Sequence, residues 1–182
     1  MPRLDKETKK DIQKLNDKDL RDIIIKLASK DKMVYDYLQI NYLNKESGAQ
    51  ELFEETIADL DDISWKQYKG YSPQVRQTKM LAAYIKRIND FTKICTNKVY
   101  EADLLVYILE ITFSSPPDMF GTCFTQFDTK VAIILKRLIN IITKKLHEDY
   151  KIEYKDRINN YLNILHTQSN FIDTIYNLPQ KI

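Results

Sequence analysis

Apolar residues recur three and four positions apart along almost the whole chain, and residues suited to helix capping stand just ahead of most of these runs. That spacing stacks apolar side chains on one helix face and predicts an all-α protein. A short first segment over 6–15 is anchored by Ile12 and Leu15. Asp17 is placed to cap a second helix carrying Leu20, Ile23, Ile24 and Leu27, and Asp31 a third carrying Val34, Tyr37, Leu38 and Leu43. After the Ser47-Gly48 break a fourth helix runs to about Lys66, with Leu52, Phe53, Ile57, Leu60 and Ile63 inward and Gly70 as its stop. Ser72-Pro73 opens a fifth that reaches about Thr96, since a capping hydroxyl followed by proline suits a first helical turn. A sixth is expected over 98–112 and a seventh from a cap at Asp128 to about His147, with Ile133 and Ile134 among its apolar positions. Two last helices are expected over 153–166 and 169–177.

The sixth and seventh segments are the most apolar and are expected at the centre of a compact bundle of antiparallel helical hairpins. The length suits one domain over 1–182, with 1–46 as an N-terminal hairpin subregion. Leu20 to Tyr42, two short amphipathic helices with Leu-Ala and Asp at the turn, resembles a single HEAT or armadillo unit. The resemblance implies a HEAT-like N-terminal part, although no repeat of fixed period follows it.

Composition narrows the chemistry. Only 3 Gly are present, and neither GxxxxGK[ST] nor GxGxxG occurs, which removes phosphate binding by a glycine-rich loop. Cys95 and Cys123 form no CxxC pair, and His147 and His166 show no zinc-ligand spacing. The first residues, Met1-Pro2-Arg3-Leu4-Asp5-Lys6-Glu7, are too charged for a signal peptide. The longest apolar stretch, Leu104 to Leu109, falls far short of the ~20 residues that cross a bilayer. A cytoplasmic protein with no membrane contact is expected. The net charge of +2 demands no anionic partner, so any electrostatic attraction must arise locally.

Two local charge patterns stand out. On the fourth helix Glu51, Glu55, Asp59 and Asp62 share one face, flanked by Glu54 and Asp61. Carboxylates so grouped suit Mg²⁺, which takes oxygen ligands. The pair Glu51-x-x-Glu54 resembles half of the signature of all-α nucleoside triphosphate pyrophosphatases. That resemblance implies a second acidic pair on a nearby helix, for which Glu101 and Asp103 are the nearest residues at the wrong spacing. The alternative it offers is a metal-dependent nucleotide hydrolase using Glu51, Glu54, Glu55 and Asp59. On the fifth helix Arg76, Lys79, Lys86 and Lys93 follow a helical line, and Lys130, Arg137 and Lys144 repeat it at sevens on the seventh. If those faces adjoin, they form an anion-binding surface for nucleic acid, with Trp65, Tyr68 and Tyr71 beside it for stacking.

The stretch 113–128 lacks helical periodicity and carries Phe113, Met119, Phe120, Phe124 and Phe127. It either closes the end of the bundle or presents an apolar patch to a partner. No spacing joins a nucleophile to a base, so the leading expectation is a non-catalytic protein-interaction module that uses this loop. It needs no cofactor, its partner is another protein, and a homodimer through the loop is compatible with the same pattern.

Overall fold

The computed structural model describes residues 4–45, 47–170 and 173–182, with Pro117 described by its backbone alone. Met1–Arg3, at the charged N-terminus, and Phe171 and Ile172 of the expected last helix lie outside the described residues. Among the described residues there are nine α-helices and no strand: α1 (Lys6–Gln13), α2 (Asp17–Ala28), α3 (Lys32–Leu38), α4 (Gly48–Trp65), α5 (Pro73–Ile94), α6 (Lys98–Phe113), α7 (Thr125–Lys144), α8 (Glu148–Gln168) and α9 (Asp173–Tyr176). A single π turn covers Gln39–Leu43, and a short 3₁₀ turn covers Pro117–Met119. The chain divides into two compact units, Met1–Gln50 and Glu51–Ile182.

In the first unit each helix begins at a side chain that accepts a bond from an amide of the first turn. Asp5 serves Thr8 N–H at 2.7 Å, Asn16 serves Asp19 N–H at 2.8 Å, and Asp31 serves Met33 N–H at 2.8 Å. The second cap is therefore Asn16, and Asp17 moves into the first turn, where its charge favours the helix dipole. α2 and α3 pack against each other. None of the residues of α1, α2 or α3 is buried.

The second unit holds the core. α6 buries a broad face, including Leu104, Leu105, Val106, Ile108 and Leu109, as its unbroken apolar run requires, and leaves Tyr100, Asp103, Tyr107 and Glu110 on its less covered side. α7 packs against α5, α6, α8 and α9. Its core stripe is Val131, Ile134, Leu135, Leu138, Ile141 and Ile142. Adjacent residues of a helix stand about 100° apart, so Ile133 falls off this stripe and is 54% exposed instead of inward. α4 joins through Leu52, Thr56 and Leu60, through Phe53 stacked on Tyr100 of α6 at 4.8 Å, and through Asp59 paired to Arg87 of α5 at 2.6 Å.

Three expected boundaries shift for local reasons. α4 ends at Trp65, and Gly70 does not terminate it; the Gly70 carbonyl accepts Arg76 Nη1–H at 3.0 Å. α7 starts at Thr125, ahead of the expected cap, because the Asp128 carboxylate is engaged by Gly121 N–H and the Ser169 hydroxyl. α8 begins at Glu148, well before its first buried residue, Tyr154. Glu148 and Asp149 favour the positive end of its dipole, and Ile152 on that first stretch faces water.

Candidate partner-binding groove

α5 and α7 lie side by side, and their outward faces enclose an open groove of about 590 Å³. This falls within the range of clefts that hold ligands, about 300–1,000 Å³. The floor is aliphatic: Ala82 and Ile85 from α5, Ile133 and Ile134 from α7. Among the described residues four cationic side chains rim it, Lys86 and Lys93 on one wall and Lys130 and Arg137 on the other, with Asp90 as the only acid. Each wall repeats its charges seven residues apart, which is two turns or roughly 10 Å of helix.

These cations are not equivalent. Lys93 pairs with Asp90 at 2.6 Å, so that corner is neutral. Arg137 donates from Nε and Nη2 to Glu101 Oε1 of α6 at 3.0 and 2.7 Å, and from Nη1 to Asn89 Oδ1 of α5 at 2.7 Å. It thereby ties α5, α6 and α7 together. Glu101 is buried and also receives Lys98 Nζ at 2.5 Å. Burial alone would raise its carboxyl, but the hydrogen bonds and charges of Lys98 and Arg137 outweigh burial and hold it below its ordinary value. With two cations on one carboxylate, this end of the groove keeps a positive charge. Lys86 and Lys130 have no hydrogen-bond or ion-pair partner among the described residues. Two unneutralised ammonium groups beside a low-dielectric floor draw an incoming anion.

The anion-binding residues read from the sequence thus separate. Lys86, Lys93, Lys130 and Arg137 converge on one groove. Arg76 and Lys79 instead brace the connection ahead of α5, through the carbonyls of Gly70 and Lys69 at 3.0 and 2.6 Å. Lys144, exposed in the last turn of α7, does not line the groove. Trp65 and Tyr71 are exposed but lie outside it, and the Tyr68 hydroxyl donates to the Ile63 carbonyl.

Of the two readings of the loop, closure of the bundle end matches its geometry. Met119, Phe120 and Phe127 are buried, and Phe113 stacks between Phe120 at 5.4 Å and Tyr161 of α8 at 4.4 Å. Phe124 meets Tyr71 edge-on at 5.4 Å. These rings close the end of the bundle, so they offer no continuous apolar face, because hiding that much ring area from water stabilises the fold itself. The segment is also tethered: Asn170 Nδ2 donates to the carbonyls of Gly121 and Thr122 at 2.9 and 3.0 Å.

The metal alternative is corrected. Among the described residues no three His, Cys, Asp or Glu side chains converge in a way that would hold an ion. Glu51, Glu54 and Glu55 are exposed, while Asp59 is paired to Arg87. The second acidic pair is turned elsewhere, Glu101 to Arg137 of α7 and Asp103 to the Tyr154 hydroxyl of α8. Towards α4, α6 presents Tyr100 on Phe53 and Tyr107, whose hydroxyl donates to Asp61.

Sequence reasoning missed the aliphatic floor and the Glu101–Arg137 tie. One signal for the floor was present. In the run Val131 to Ile134 three large aliphatic residues cannot all share one stripe, and Ile133 is the one left over. Compared with protein families, curated proteins and solved structures, the chain matches none.

Proposed function

We propose that this protein is a non-catalytic, cytoplasmic interaction module, built from antiparallel hairpins with a HEAT-like α2–α3 pair, and that its α5–α7 groove receives an acidic, amphipathic segment of a partner protein. The observation that carries this reading is the convergence of Lys86 and Lys130, unpaired among the described residues, on the floor of Ala82, Ile85 and Ile133. An aliphatic floor rewards an apolar side chain from the ligand, and the lysines reward carboxylates on its flanks. A helix with apolar residues three and four apart and acids beside them satisfies both. A nucleic acid satisfies only the rim, since among the described residues no aromatic ring lines the groove for a base to stack on.

Capture of the tagged full chain's partners from its native lysate, with and without nuclease, tests this. The wild type is run beside Lys86→Glu/Lys130→Glu and beside Lys136→Glu/Lys145→Glu, which reverses two exposed charges outside the groove. The expected result is a nuclease-resistant protein lost only in the groove variant. Equal capture by all three chains, or recovery of nucleic acid alone, refutes it.

A further inference from the structure

Exposed apolar surface is concentrated in the first unit. Of the seventeen large apolar side chains exposed among the described residues, twelve lie between Leu4 and Leu43. Scattered single residues of this kind need no explanation, but a continuous stripe does. On α2, Leu20, Ile23, Ile24 and Leu27 fall at i, i+3, i+4 and i+7. Leu20 is half-buried, and the other three are 43%, 45% and 50% exposed. α3 packs against α2, yet the 12 residues of α2 include none that is buried, less packing than short helices usually draw their stability from.

The charges beside this stripe identify what would cover it. At 100° per residue, Asp19 and Lys26 lie along the same edge of the stripe, the acid near its start and the base near its end, and Lys30 follows in the turn after α2. The opposite edge carries Asp17, Arg21 and Ala28. When a two-fold axis crosses α2 at the middle of the stripe, between Ile23 and Ile24, each edge meets its own copy running the other way. Asp19 of one chain then stands opposite position 28 of the other, two residues or about 3 Å of helix from Lys26, with Lys30 in the turn just beyond. The Asn16 amide, which donates to Asp19 at 2.8 Å, leaves that carboxylate its charge. Lys26 and Lys30 have no ion-pair partner among the described residues. On the opposite edge Ala28 adds no charge to oppose Asp17 or Arg21. A parallel arrangement brings unlike edges together and loses the Asp19–lysine contact.

We propose that α2 pairs, antiparallel and two-fold symmetric, with α2 of a second copy of this chain. The stripe supplies the buried surface and the Asp19 edge sets the direction, as edge charges do in paired helices. The inference is independent of the groove.

Sedimentation of the full chain across concentration tests it, with two charge variants, Asp19→Lys and Lys26→Asp/Lys30→Asp. The wild type is expected at twice its 21.6 kDa chain mass. Each variant alone places like charges on both halves of the edge and is expected to associate at least tenfold more weakly. Their equimolar mixture restores opposite charges at both ends and is expected to return to the doubled mass, a rescue that a merely unfolded variant cannot give. A wild type that stays at single-chain mass up to about 100 µM, a variant that pairs alone as tightly as the wild type, or a mixture that stays monomeric would each overturn the proposal.

Discussion

Gly121 has a backbone φ of 68°, and a Cβ built there would lie 2.3 Å from the Gln168 carbonyl oxygen. Its N–H donates to Asp128, so the turn cannot rotate away without losing that bond. Gly121→Ala is expected to destabilise the fold by about 2 kcal/mol or more, from the left-handed backbone together with the displaced α8 terminus, read from urea unfolding. Nothing in the sequence marks this glycine apart from Gly70, because the obstacle is a backbone atom far along the chain. Buried phenols make a second expectation at this scale. Burial pushes the Tyr84 and Tyr161 hydroxyls up to about 12, and Tyr107 rises to about 12 chiefly through its hydrogen bond to Asp61. Their unfolded value is near 10. A raised folded value favours the neutral phenol, so this contribution is whole below pH ~10 and is lost as the pH climbs through about 12. The melting temperature should therefore fall steeply above pH ~10, and Tyr84→Phe should soften that fall. An unchanged melting temperature up to pH ~12 would contradict the burial argument.

Among the elements, the Lys98–Glu101–Arg137 cluster decides how α5, α6 and α7 are fixed beside one another. Arg137→Met leaves a buried carboxylate with Lys98 alone and should cost roughly 3 kcal/mol in urea unfolding, as removal of one partner from a buried pair does. Lys86→Glu/Lys130→Glu touches no such partner and should change stability by less than ~0.5 kcal/mol. Equal losses in both variants would mean that the groove rim is structural. The lowered Glu101 value adds an acid limb with the opposite sign to the tyrosines. That contribution is whole above the ordinary value of 4.5 and is lost as the pH falls through the lower folded one, and Glu101→Gln should flatten the limb. Helix existence was legible wherever period and cap agreed, as at Asp31 and Ser72, which both cap as expected. It was less legible where a capping side chain had a more distant claim on it. Asp128 looks like a cap in sequence but serves Gly121 and Ser169.

For the molecule as a whole, the net charge of +2 conceals an uneven distribution. α5 and α7 hold nine of the 28 Lys and Arg residues and only two of the 26 Asp and Glu. α4 holds six acids and no Lys or Arg. Spacing along the chain exposed each basic line, but only the packing of α5 against α7 brings the two lines to one groove. Spacing along the chain could not show that the aromatic loop over 113–128 faces inward, because that depends on Tyr161 of α8 and on Asn170 in the connection after it. The groove reading is tested most directly by zero-length carbodiimide coupling of the protein to its captured partner, followed by mapping of the joined peptides. That chemistry links an ammonium to a carboxylate only when the two are in contact. The expected result is Lys86 and Lys130 joined to Asp or Glu residues of one partner segment, with apolar residues three and four apart between them. Links that form through other lysines while Lys86 and Lys130 stay unmodified would contradict it.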